Sequence, residues 1–150
     1  MGTLVTIQVL AEGPDVAAAV GRAFGWFREI ESRCTRFDPA SELMRLCRET
    51  GRPMRVSAVL FEAVRFSVEV ARLSGGAFDP TIGRRMEARG FDRNYRTGAR
   101  VSRGGADEPA NWRDVELDAE RRTILLHREL TLDLGGGEGA GGGCGGTGTG

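Results

Sequence analysis

The sequence predicts an α+β fold, a mostly antiparallel sheet with helices packed on it. Strand-like alternation opens the chain at residues 3–10, and three stretches with helical spacing follow between residues 15 and 73. Short alternating segments separated by turn residues return between residues 112 and 134, as in a β-meander.

In residues 3–10, Val5, Ile7 and Val9 alternate with Thr6 and Gln8, the period-two pattern of a half-buried strand. Gly13-Pro14-Asp15 then turns the chain into a helix over residues 15–34. Val16, Val20, Phe24, Phe27 and Ile30 recur at helical spacing and are expected to pack into the core. Trp26, Phe24 and Phe27 also resemble an aromatic ligand box; core packing is the reading adopted. Arg36-Phe37-Asp38-Pro39 breaks the helix. Ser41 begins a short one, with Leu43, Met44, Leu46 and Cys47 apolar and Glu42 near its positive end. Gly51 and Pro53 end it. Ser57 has the side chain of an N-cap, so residues 58–73 read as a third helix with Leu60, Phe61, Val64, Val68 and Leu73 buried.

That helix delivers the chain into residues 74–83, SGGAFDPTIG. One reading is a helix C-cap followed by a tight turn, because Gly-Gly, Asp and Pro are ordinary turn formers. The other is a ligand-binding loop: adjacent glycines let backbone approach a ligand closely, and Asp79 and Thr81 bracket Pro80. Residues 84–111 are polar and Arg-rich and read as a long loop with a short helical piece at 85–89. Residues 112–117 resume strand character, 118–122 form a turn, and 123–127 and 130–134 are strands. His127 falls at a strand end, where a structural role is expected. From Gly135 to Gly150, eleven of sixteen residues are glycine, with one charge and no large apolar side chain. Such a tract cannot offset its ordering entropy. The chain therefore divides into a folded part, 1–136, and a disordered Gly-rich tail, 137–150.

Composition narrows the chemistry. The formal net charge is zero, so nothing points to a bulk electrostatic grip on nucleic acid or on a membrane surface. All 21 basic residues are arginine. Without lysine there is no Schiff-base chemistry and no Walker-type P-loop. His127 is the single histidine, which excludes a His-rich zinc site. Cys34, Cys47 and Cys144 are widely spaced and suggest neither a disulfide framework nor a metal knuckle. No stretch approaches membrane-spanning length, and residues 1–10 lack the pattern of a signal peptide, so a cytoplasmic product is expected.

Four stretches fall into one family pattern. They are Met1-Gly2-Thr3 before an alternating strand; Cys34-Thr35-Arg36-Phe37-Asp38 running into Ser41-Glu42-Leu43; SGGAFDPTIG with Gly90-Phe91 after it; and Leu132-Asp133-Leu134-Gly135-Gly136. In this order and at these separations the chain resembles the FAD:protein FMN transferases, the ApbE-like family, over residues 1 to about 136. The resemblance implies binding of FAD and Mg2+, cleavage of the FAD pyrophosphate, and transfer of FMN to a threonine hydroxyl of a target protein with release of AMP. The implied targets are flavin-bearing subunits of redox complexes, and family members are often exported. Carried over residue by residue, Met1 lies against the flavin and Phe37 contacts it. Ala77, Phe78 and Asp79 line the FAD site, and Asp133 is a further FAD contact. The backbone carbonyl of Gly136 reaches the metal, in keeping with the preference of magnesium for oxygen. No catalytic residue is assigned.

The departures are specific. In the family, the LDLGG motif continues into a segment with a lysine that contacts FAD; Gly139 stands at that position here. The later aspartate and threonine that complete the family's metal site have no counterpart, and the resemblance covers less than half of the family domain. An abrupt glycine-rich tail of this kind is expected from a shifted reading frame in GC-rich DNA or from an artificial terminus. Three readings follow: a Mg2+-dependent FMN transferase, a truncated inactive flavin-binding or structural remnant, and an interaction module on an unfinished sheet edge. If the site is correctly read, Asp79 and Asp133 lie near one another at one end of the sheet.

Overall fold

The computed structural model describes residues 5–10, 12–90, 98 and 110–134. Its elements are helices α1 (Pro14–Cys34), α2 (Glu42–Leu46), α3 (Ala58–Leu73) and α4 (Gly83–Ala88), strands β1 (Met54–Arg55), β2 (Val115–Asp118) and β3 (Thr123–Leu126), and a 3-10 turn at Trp112–Asp114. The sheet is antiparallel with order β1-β3-β2. Helices with a small antiparallel sheet make the expected α+β class.

The β2–β3 hairpin fixes the register of the core. Val115 lies opposite Leu126 and Leu117 opposite Ile124, so one face carries all four apolar side chains. The turn closes through the Arg121 amide, which donates to Asp118 Oδ1 at 2.9 Å, and through Arg122, which adopts φ 53°. Ile124 and Leu126 are fully buried, together with Leu43, Leu46, Leu60, Val64 and Leu132.

Helices α2 and α3 begin where their caps predict. Ser41 accepts from the Met44 amide at 3.1 Å and Ser57 from the Leu60 amide at 3.2 Å. Glu42 ties the two starts together. Its Oε1 accepts from the Ser57 amide and its Oε2 from the Ser57 hydroxyl, each at 2.6 Å, and Arg33 donates to Oε2 at 3.2 Å. Burial opposes ionisation of Glu42 more strongly than any single contact favours it, yet the Ser57 hydroxyl, the Ser57 amide and Arg33 together prevail. The carboxyl therefore sits below its ordinary range.

Several expectations are corrected. Residues 5–10 form no strand; Ile7 and Val5 are half-buried, but no neighbouring strand among the described residues supplies a ladder. No residue of α1 is buried, and Trp26, Phe27 and Ile30 are 59%, 37% and 37% exposed. The periodicity of α1 is genuine, but nothing described covers the whole apolar face. Leu73, expected inside, is 72% exposed; Ser67 and Ala71 take the inward positions in the last turns of α3, with Val68 packed on the edge of the core. Residues 112–114 form a 3-10 turn with an Asn111–Asp114 capping box instead of a strand. Residues 130–134 do not extend a meander. Both edges of β3 are taken, by β1 and β2, so this segment turns away and pairs elsewhere. The tail from Gly135 and most of the loop expected at 84–111 lie outside the described residues.

Candidate functional site

The end of α3 is a Schellman cap. Gly75 donates to the Arg72 carbonyl at 3.2 Å and Gly76 to the Ala71 carbonyl at 2.8 Å, with φ of 63° and 87°. These left-handed conformations require glycine, so the turn reading of SGGAFDPTIG is correct as local structure. The Trp112 indole Nε1 comes within 3.8 Å of the position a Cβ on Gly76 would take, which sets Trp112 over the turn. The Arg113 guanidinium stacks on the Trp112 ring at 4.4 Å.

Beyond the cap, Asp79 works on its own loop. Its Oδ1 accepts from the Thr81 amide at 2.9 Å and the Thr81 hydroxyl at 2.7 Å, and that hydroxyl lies 3.1 Å from the Ala110 carbonyl. This Asx turn leads the chain through a parallel bridge between Ile82 and Thr131 into the start of α4. Asp133 donates its amide to the Pro80 carbonyl at 2.7 Å, and Gly83 donates to the Thr131 carbonyl at 3.1 Å. A Cβ at Gly83 would lie 2.6 Å from that carbonyl oxygen and 2.8 Å from Thr131 Cγ2, so only glycine permits this approach.

The third stretch arrives from the end of α1. Arg36 is 5% exposed. Its Nε donates to Asp133 Oδ2 at 2.8 Å, its Nη1 lies 3.8 Å from Glu87 Oε1, and its guanidinium stands over the Phe37 ring at 4.2 Å from the centroid. A buried cation needs paired anions around it, and two carboxylates supply them.

Of the residues singled out from the sequence, Phe37, Phe78, Asp79 and Asp133 lie on segments joined by these contacts. Phe37, Phe78 and Asp79 are half-buried and Asp133 is buried, while Ala77 is exposed on the turn. Asp79 and Asp133 are held by the backbone bond at Pro80, next to Asp79 in sequence. Their carboxylates have different partners: Thr81 for one, Arg36 for the other. Met1 and Gly136 lie outside the described residues. Arg36 was not among the expected site residues. The sequence signals were its place in the break between two helices, which reads as surface, and its membership of the Cys34–Asp38 stretch, in which only Phe37 was given a role. His127 is exposed and pairs with Glu116 at 2.9 Å across the hairpin, consistent with a structural role.

Partly exposed Phe37, Phe78 and Trp112 and the open glycine turn are compatible with a planar aromatic ligand. The donors for a metal are not compatible in the same way. Among the described residues no three His, Cys, Asp or Glu side chains converge on a cation position. Cys34 is no substitute, since burial pushes its thiol up to about 11. A surface groove lined by Arg28, Arg33, Arg45, Glu29, Asp38 and Glu42 among others contains none of the expected site residues. It is open, and Arg33 within it is already paired with Glu29 and Glu42. Among the described residues no helix is long and apolar enough to cross a membrane.

A model of the ApbE family matches residues 1–139. The fold is similar to that of the ApbE protein of Thermotoga maritima MSB8, with a TM-score of 0.63 and 19% identity over 82% of this chain and 41% of that one. It is also similar to the flavinyl transferase ApbE of Pseudomonas stutzeri in its apo form, with a TM-score of 0.64 and 18% identity over 81% of this chain and 39% of that one. The chain thus spans about two-fifths of the length of each. No curated protein matches the sequence.

Proposed function

Because the chain belongs to the ApbE family, we propose that it carries the flavin-side part of an FAD:protein FMN transferase. Phe37, the Ala77-Phe78-Asp79 turn and Asp133 form its face towards FAD, with Met1 beside the flavin and the Gly136 carbonyl directed to a Mg2+ ion. The observation that carries this reading is the backbone bonding of residues 80–83 to residues 131–133 together with the Arg36–Asp133 pair, which gathers three stretches far apart in sequence.

The reaction proposed for the complete fold is a phosphoryl-type transfer. A threonine Oγ–P bond forms at the FMN phosphorus and the bond from that phosphorus to the bridging oxygen breaks. AMP leaves with that oxygen, and the hydroxyl proton is released. The acceptor belongs to a flavoprotein of a redox complex. The chain's own residues bind and orient FAD.

A second reading, a flavin-binding remnant without transfer, is favoured by one observation: the described side chains make no metal cluster. One experiment separates the readings. The chain is titrated with FAD by flavin fluorescence, then incubated with FAD and a threonine-containing acceptor peptide, with and without Mg2+. Binding plus an added FMN mass that depends on Mg2+ supports the transferase. Binding without added mass supports the remnant. Absence of FAD binding overturns both.

A further inference from the structure

We propose that Arg36 is the positioning residue of the flavin-side face: one buried guanidinium sets both the Phe37 ring and the Asp133 carboxylate. The inference rests on the reading of Phe37 and Asp133 as FAD-facing and identifies what fixes them.

The geometry gives Arg36 an unusual set of contacts. It is 5% exposed, whereas arginines such as Arg65 and Arg72 serve surface pairs with Glu62 and Glu69. Its Nε meets Asp133 at 2.8 Å, a residue 97 positions away, and its guanidinium carbon stands over the Phe37 ring at 4.2 Å from the centroid. Both contacts are made by one rigid planar group. Rotation of the guanidinium therefore moves the ring and the carboxylate together. Glu87 at 3.8 Å from Nη1 restrains that rotation from α4, and the Asp133 amide bond to Pro80 anchors the far side to the glycine loop.

Lysine separates positioning from mere charge compensation. It keeps the cation near Asp133 and loses the planar group that bridges Phe37 and Asp133. The full chain and its Arg36→Lys, Phe37→Leu and double variants are titrated with FAD, FMN and AMP by fluorescence and calorimetry, with far-UV circular dichroism and thermal melts alongside. The expected result is FAD and FMN binding weakened about tenfold in Arg36→Lys at unchanged helix content, with AMP binding unchanged. Phe37→Leu should weaken FAD to a similar extent, and the double variant should be no worse than either single one. FAD affinity in folded Arg36→Lys equal to that of the parent overturns the inference while the flavin reading stands. If Arg36→Lys unfolds, Phe37→Leu decides: unchanged FAD binding by that variant overturns it too. A parent chain that binds no FAD overturns the flavin reading and this inference with it.

Discussion

Helix α1 and helix α3 have similar apolar spacing and opposite fates. In α3, Leu60, Phe61, Val64 and Ala71 are buried, and the first three join the core cluster with residues of α2, the hairpin and residues 130–132. In α1, 21 residues long, none is buried, and Trp26 stands 59% exposed. The difference teaches that periodicity reports a helix's capacity to pack, while burial depends on what lies opposite. The hairpin and residues 130–132 provide that surface for α3 and α2. Helix α1 packs on α3 and α2, and that contact leaves Val16, Val20 and Phe24 only half-buried.

The comparison breaks most directly at its buried side. Leu126→Ala should cost about 2–5 kcal/mol, read as a loss of urea stability, because Leu126 is fully buried. A cost below about 1 kcal/mol would show that the core is looser than its burial implies. Gly83→Ala comes next, at about 1–3 kcal/mol, since the Thr131 carbonyl oxygen 2.6 Å from the new Cβ is backbone and cannot swing aside.

Glu42 gives a pH test of similar size. Its folded carboxyl titrates below its ordinary value, so its contribution is complete above the unfolded value of about 4.3 and is lost as pH falls through the depressed folded one. Denaturation midpoints measured downward from pH 6 should fall across that window. In Glu42→Gln the fall should be shallower, with a cost of about 1–3 kcal/mol at neutral pH. Equal pH slopes in the two proteins would remove Glu42 from the account.

On the side of α1 the signs change. Gly21 has nothing within 4 Å of an added Cβ, so Gly21→Ala should stabilise by about 0.5–1 kcal/mol through helix propensity alone. Trp26→Ala should alter stability least, within about 0.5 kcal/mol. A large loss from Trp26→Ala would mean that α1 packs more tightly in solution than its exposure states.

Where local chemistry decides, the sequence was readable. Ser57 names the first turn of α3, and Gly75-Gly76 name its last, because a cap and a left-handed glycine act over a few residues. The α+β class followed from the same local signals. Long-range pairing was not readable. Met54–Arg55 is too short for alternation to show, and it took the edge of β3 expected for residues 130–134. The partners of the candidate site were hidden for the same reason. Phe37, Asp79 and Asp133 were named through family resemblance, but nothing near Arg36 in the sequence marks it as buried. Its burial comes from carboxylates at residues 87 and 133.

The distance along the chain between Arg36 and Asp133 has a consequence for biosynthesis. At roughly 5–20 residues per second, a ribosome that has made Arg36 needs about 5–20 s to make its partner 97 residues later. Throughout that interval Arg36 lacks Asp133, with Glu87 made partway through it, and the space filled by Leu130 and Leu132 stays open. Helices α2 and α3 are thus committed early to a core that only the last described residues can close, and translation that stalls before residue 130 leaves a sticky intermediate for chaperones and proteases to sort.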